Sequence, residues 1–346
     1  MNDLRLNVEL LRQRVHNLTV AAATVGLRPA TVSNLCTGKI PLGRAEVKTL
    51  VALANLAECS VDELIIRGEE AEMLETGIKV IDLFAPLTRG GTIGFVARPG
   101  MGQLVMLAEI FRRMNQQGHP TVFLLPEEDV PGLSDVINET KYLCHSPKEV
   151  YEKILEIDNK QNIFLAADRQ NVLTGEIYSL IEKLQNAGVL TTTLLVDLRG
   201  DAVDEQDPYG PLDSLWQFDA ELISRKMYPA INPIYSTSVL LEGAHLDKNH
   251  MQTQQQARKI LRRYRELRFL DKGKMPALEN EIFQKGLRLE AYFTQTFFIA
   301  EPFTKKQGVF VPLQNTLSEV QRIIKGEFDH VDVESLIYIG NLEEVK

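Results

Sequence analysis

The sequence is poor in the residues from which covalent staples and metal cages are built. Three cysteines, Cys36, Cys59 and Cys144, stand far apart in 346 residues with no CxxC pair. That excludes a disulfide framework and a cysteine-based zinc site, and each thiol is expected to act as a small buried apolar side chain. None of the six histidines has an i,i+4 partner, so no metal site is expected. No apolar run reaches the ~20 residues that cross a bilayer. The first ten residues, MNDLRLNVEL, mix charged and apolar residues and build no signal core, which predicts a cytoplasmic protein with no membrane partner. What remains is the composition of a globular chain, 44% hydrophobic and 25% charged, with a length that suits two or three domains.

The net charge of −9 is unevenly spread: residues 1–68 hold eight basic and six acidic side chains, so a slightly basic head precedes an acidic body. The head reads as short helices. Leu4, Leu6, Val8, Leu10, Leu11 and Val15 suggest the first, and a second runs from Thr19 to Val25 and is ended by Gly26. Pro29, whose missing N–H costs nothing at a helix start, opens a third that stops near Gly38. Val47 to Leu56 carries helical spacing. Ser60 and Glu63 form a capping box for a fifth helix over Val61–Ile66.

A tight turn between two short helices is helix-turn-helix architecture. The stretches LTVAAATVGLRPATVSNLCTGK (18–39) and LVALANLAECSVDELI (50–65) resemble the Xre/Cro-type repressor family. The resemblance implies a DNA partner, with Pro29, Ala30, Ser33 and Asn34 facing bases and Arg28, Thr31 and Lys39 near phosphates. Asn34 is a residue type that reads adenine, whereas Pro29 and Ala30 offer little to a base edge. A helical bundle for protein contacts is the alternative.

Beyond residue 70 the pattern changes to strands alternating with helices, which predicts an α/β domain with a parallel sheet. Apolar strands are expected at 93–96, 122–125, 163–167 and 190–196. Helices are expected from about Gln103 to Asn115, from Ser146 to Asp158 and from Glu176 to Asn186. The loop after the first strand, Ala97-Arg98-Pro99-Gly100-Met101-Gly102-Gln103-Leu104, stands where a phosphate loop would read G-x-x-x-x-G-K-[ST]. Gly100 and Gly102 remain; the lysine position is Gln103 and the hydroxyl position Leu104.

LETGIKVIDLFAPLTRGGTIGF (74–95), KMYPAINPIYSTS (226–238), ARKILRRYREL (257–267), FFIAEPFT (297–304) and GVFVPLQNTLSEVQRIIKGEFDHVD (308–332) resemble the catalytic beta subunit of rotary ATP synthases. The resemblance implies a RecA-like P-loop NTPase fold over residues 72–240 and a helical C-terminal domain over 241–346. It places Glu128 at the carboxylate that orients the attacking water, Asp168 at the Walker B aspartate, and Tyr228, Phe297 and Phe303 at the adenine pocket. Arg98, Gly100, Gly102, Gln103 and Leu104 would border the phosphates. Two arginine positions of the family are Asp129 and Val172 here. The family's β-barrel crown is replaced by the helical head, and its acidic loop by residues 270–276.

Phosphoryl transfer depends on neutralising a highly charged transition state. Without lysine and hydroxyl, Glu128 and Asp168 would face phosphates uncompensated, unless Arg98 reaches in. The expected protein is therefore a pseudo-ATPase: a DNA-binding regulator whose body senses ATP or ADP, held weakly and with little use for magnesium, or builds a homo-oligomer. A weak nucleotide-binding ATPase with an N-terminal adaptor, or a subunit that docks on alpha-type ATPase subunits, is the alternative. The basic run Arg258, Lys259, Arg262, Arg263, Arg265 and Arg268 is expected to be a solvated helix face.

Overall fold

The computed structural model describes residues 4–15, 18–36, 40, 42–67, 72–158, 162–201, 212–241, 246–270 and 275–345. Two compact units emerge: Met1–Glu72 with Val239–Asp247, and Met73–Ser238 with Lys248–Lys346.

The first unit contains β1 (Leu4–Leu6), α1 (Val8–Arg14), α2 (Leu18–Thr24), α3 (Pro29–Cys36), α4 (Val47–Leu56), α5 (Val61–Leu64) and β2 (Ile65–Arg67). Its core is built on Leu11, Val32, Leu53 and Leu64. Two expectations are corrected. The first helix begins at Val8, because Leu4–Leu6 is a strand antiparallel to Ile65–Arg67. The fifth helix accordingly ends at Leu64, since Ile65 and Ile66, β-branched and suited to a pleated surface, complete that ribbon. Asn7 caps α1 by accepting the Leu10 N–H at 3.1 Å. Gly26 takes the left-handed conformation, φ +75°, that closes α2.

The Ser60–Glu63 capping box is formed. Ser60 Oγ accepts the Glu63 N–H at 3.1 Å, and the Glu63 carboxylate accepts the Ser60 N–H at 2.7 Å. The carboxylate also accepts the Ser60 hydroxyl at 2.9 Å, and the two bonds that Ser60 donates hold the Glu63 carboxyl below its ordinary range. Ser60→Ala is expected to cost about 1 kcal/mol, read as faster amide exchange at Glu63 and Leu64. Unchanged exchange would show that the cap contributes nothing.

In the second unit, β3 (Met73–Leu74), α6 (Lys79–Phe84) and β4 (Leu87–Thr88) lead into an alternating series. It runs β5 (Thr92–Val96), α7 (Gln103–Gln116), β6 (Thr121–Leu124), α8 (Ser134–Glu139), β7 (Tyr142–Cys144), α9 (Pro147–Glu156), β8 (Ile163–Asp168), α10 (Arg169–Leu173), α11 (Glu176–Asn186) and β9 (Thr191–Val196). Then come β10 (Ser214–Gln217), α12 (Ala220–Ser224) and β11 (Thr237–Ser238). Seven strands form one sheet in the order β11-β10-β5-β9-β8-β6-β7, parallel except for β11 at one edge.

Residues alternate between the two faces, as a pleat requires. Phe95, Phe123 and Phe164 meet Met106, Ile110 and Phe111 of α7. Val122, Leu124, Leu165 and Leu195 meet Val150 and Ile154 of α9 and Ile177, Leu180 and Leu184 of α11. Both faces are covered, which explains the nearly unbroken apolar runs of β8 and β9. Cys144 is fully buried, which pushes its thiol up to about 11, whereas Cys36 and Cys59 are half-buried.

The chain ends in α13 (Lys248–Leu267), α14 (Ala277–Tyr292), α15 (Glu301–Thr304) and α16 (Leu313–Lys325). Leu261, Tyr264, Leu289, Tyr292, Leu317 and Val320 of these helices share one core with α6 and α7. No helix among the described residues is long and apolar enough to cross a membrane.

The basic run along α13 is only in part the solvated face expected of it: Lys259 and Arg262 are exposed, but four arginines are engaged. Arg258 donates to the Phe84 carbonyl at 2.8 Å and the Ser236 carbonyl at 3.0 Å. Arg265 pairs with Asp219 at 3.2 Å, Arg268 with Glu221, and Arg263 with Glu266 and Glu279. These arginines tie α13 to its neighbours.

A polar network runs through the body's interior. Asp82, fully buried, accepts the Thr76 N–H at 2.9 Å, the Thr76 hydroxyl at 2.7 Å and the Gly77 N–H at 2.7 Å. Arg113 of α7 donates to Glu109 at 2.7 Å and to the carbonyls of Thr76, Gly77 and Val309 at 3.1, 3.0 and 2.8 Å. Gln295 bridges the Lys79 N–H to the Gly77 and Val309 carbonyls. The great majority of buried polar groups in folded proteins are bonded in this way.

Candidate phosphate-loop site

The carboxyl ends of β5, β9, β8 and β6 lie side by side, and in open α/β sheets the crevice beyond these ends is where ligands sit. The loop after β5 passes through Gly100 at φ +77° and Gly102 at φ +90° before α7 begins. A side chain with a Cβ is strained at both angles, so the glycines preserve the backbone turn. The Arg98 N–H faces the Met101 sulfur at 3.0 Å, and the Arg98 side chain projects from an exposed segment.

The two positions expected to border phosphate, Gln103 and Leu104, open the first turn of α7. Gln103 is 4% exposed. Leu104 packs against the main core, with one methyl 3.5 Å from where a Cβ on Gly132 would lie.

The acidic residues do not face the site unpaired. Asp168, the last residue of β8, is buried and accepts the Leu198 N–H at 3.3 Å. Burial raises its pKa, and neighbouring Asp197 adds to that, while Leu198 and Arg199 oppose it. Asp197, just past β9, is also buried; it accepts the N–H groups of Arg199 at 3.1 Å and Gly200 at 2.9 Å and pairs with Arg169 at 3.1 Å. Glu128, on the exposed loop after β6, pairs with Arg199 at 2.7 Å. Gly200, at φ +77°, lies against the loop itself: a Cβ there would meet Pro99 N at 2.4 Å and the Arg98 carbonyl carbon at 2.7 Å.

Three residues of this constellation, Arg169, Asp197 and Arg199, escaped the reading of the sequence. The signal was present in Asp197-Leu198-Arg199-Gly200, a charged turn at the carboxyl end of a wholly apolar strand.

The candidate aromatics divide. Phe297 is 7% exposed and belongs to the core, whereas Tyr228 at 40% and Phe303 at 80% face solvent. The Tyr228 carbonyl accepts the Gln295 N–H at 2.9 Å, which ties it to the segment leading to Phe297. Among the described residues no ring–ring contact joins the three. The segment after Phe297 is fastened to α7: Glu109 accepts the N–H groups of Phe298 at 3.2 Å and Ile299 at 3.0 Å. A separate groove of about 340 Å³, lined by Asn115, His119, Asn138 and Lys141 among others, opens at the amino ends of β6 and β7. It lies at the opposite end of the sheet from the glycine loop.

In the first unit Arg28, Pro29 and Ala30 are exposed at the start of α3, and Thr31 and Asn34 are half-buried. Ser33 lies in α3, but its side chain, like the whole of Lys39, falls outside the described residues. Arg14 is taken up by the end of α4, donating to the Glu58 carbonyl at 3.0 Å. A cation there complements the helix dipole.

Among the described residues no group of three or more His, Cys, Asp or Glu side chains is placed to hold a metal ion. The loop does not fit magnesium on chemical grounds: the position needing a hydroxyl is the Leu104 side chain, and Asp168 and Asp197 are buried and already bonded.

No family model matches the chain. It is similar to the solved structure of a unique ATP synthase subunit, NeqB, from Nanoarcheaum equitans, with a TM-score of 0.56 and 15% identity over 75% of this chain and 78% of that one. At that identity the likeness speaks to the fold alone: a mixed α/β body with a mostly parallel sheet.

Proposed function

We propose that this chain is a DNA-binding, regulator-like protein whose ATP-synthase-like body binds adenine nucleotide without hydrolysing it efficiently. One observation carries the reading of the body. The loop after β5 turns through Gly100 and Gly102 at positive φ into the start of α7, while Gln103 is buried and Leu104 packs against the core. A turn of backbone N–H groups at a helix start attracts phosphate; hydrolysis additionally needs the charge clamp that is lost here. The DNA-binding part rests on the turn between α2 and α3 and on the exposed start of α3 with Arg28.

Calorimetric titration with ADP and ATP, with and without magnesium, tests the body. Micromolar binding indifferent to magnesium, with negligible turnover, is the expected result. No binding up to millimolar nucleotide defeats the nucleotide reading. Titration of duplex DNA at low salt, where phosphate contacts are strongest, tests the first unit, and failure to shift any duplex defeats that part. A weak ATPase is the second reading, favoured by the exposure of Glu128 on the loop after β6. Magnesium-dependent turnover lost in Glu128→Gln would establish it instead.

A further inference from the structure

We infer that Arg199 is the phosphate ligand of this site and that Glu128 is its built-in competitor, so that the Glu128–Arg199 ion pair is a latch that a polyphosphate displaces. The inference rests on the nucleotide reading above and names the side chain that would bind.

Arg199 starts from a fixed base. Both its N–H and that of Gly200 are held by Asp197, and Gly200 is pressed against Pro99 with no room for a Cβ. The root of Arg199 is therefore attached to the glycine loop. From there the side chain crosses from the end of β9 towards the loop after β6, passing the end of β8, where its charge opposes the upward shift of Asp168. The other arginine of this turn region is committed: Arg169 is paired with buried Asp197, their side chains 14% and 6% exposed. Breaking that pair would strand a buried charge.

The Glu128–Arg199 pair is of the opposite kind. Its side chains are 77% and 43% exposed, and exposed pairs contribute only about 0–1 kcal/mol. A phosphate group offers a guanidinium parallel, charge-assisted bonds and more than one negative charge. Phosphate oxygens that take the paired N–H groups of the Arg199 fork displace Glu128 from the one it holds, so binding releases Glu128. Because the positive charge comes from a side chain, magnesium is not needed.

Calorimetry at low salt without magnesium, using ADP and inorganic pyrophosphate as probes, tests this on the full chain. Glu128→Gln is expected to bind about threefold tighter than the natural protein, the scale of one exposed pair. Arg199→Gln should bind at least about tenfold more weakly, the scale of a charge-assisted bond. Arg199→Lys, which keeps the charge but loses the fork, should fall between them. Adding Glu128→Gln to Arg199→Gln should change nothing. Wild-type affinity in Arg199→Gln, or a gain from Glu128→Gln that persists without Arg199, overturns the inference while leaving the nucleotide reading standing. Arg199-dependent binding of pyrophosphate without binding of ADP overturns the nucleotide reading and upholds the latch. No binding of either probe by any variant overturns both.

Discussion

Glu109→Ala should cost the body about 3–5 kcal/mol, a large share of the stability of an ordinary domain. The Glu109 side chain is fully buried and both its oxygens are used. One accepts from Arg113 and the Phe298 N–H, the other from the Ile299 N–H. Alanine would leave Arg113 buried without its counter-charge and two backbone N–H groups without acceptors. Burial already pulls the Arg113 pKa down, and Glu109 is the main influence opposing it. Urea unfolding followed by circular dichroism measures the loss. A cost below about 1 kcal/mol, the net worth of one ordinary hydrogen bond, would mean that water or a rearranged side chain replaces Glu109. Glu109→Gln, which keeps an acceptor but no charge, should fall between.

The second large effect is on pH dependence. Lys79 is completely buried; its ammonium donates to the carbonyls of Tyr292 and Ile339 and lies 4.1 Å from the centre of the Tyr292 ring. Burial brings its pKa down to about 7, against the opposing pull of Glu319 and Glu344. Between about 7 and its unfolded value the folded state thus holds fewer protons than the unfolded chain, so stability rises with pH across that window, by at most about 1.4 kcal/mol per unit. Asp82 slopes the other way at lower pH. Burial raises it to about 7 from an ordinary 3.8, so its contribution falls as pH climbs from about 4 to about 7. Lys79→Met is expected to abolish the alkaline rise, seen by comparing urea midpoints at neutral pH and two units higher. An equal rise in the variant would assign the effect to other groups.

Much of the fold was legible because its signals are local. Gly26, Pro29 and the Ser60–Glu63 box punctuate helices within a few residues, and the strands ending at Val96, Asp168 and Val196 are apolar because both faces of the sheet are covered. The Leu4–Leu6 strand was hidden for the opposite reason: it is three residues long and its partner is some sixty residues away. The same holds for Ser214–Gln217, four residues whose partners are distant β5 and the two-residue edge strand β11.

At the site, the turn-forming glycines Gly100 and Gly102 could be read directly, whereas setting Gln103 and Leu104 against a lysine and a hydroxyl follows from the resemblance alone. Residue type could not say that Leu104 packs against the core or that Arg199 reaches Glu128, since the second depends on loops after two non-adjacent strands. The α13 arginines misled because a helix-spaced basic stripe looks the same whether water or a neighbouring carbonyl receives it.

The ties around residues 75–77 bear on how the chain is made. The Gly77 carbonyl receives the Val311 N–H, Glu75 receives the Leu313 N–H, and Gly77 fits only because it lacks a Cβ beneath Phe310. A nascent chain has finished the strands of the sheet well before these partners emerge from the ribosome, yet the segment that opens the body stays unclosed until residue 313 is free. Closing so long a loop is slow, and a chain cut short before that point would keep its sheet-forming sequence while losing the clasp. Such fragments are the ones a cell's chaperones and proteases would meet first.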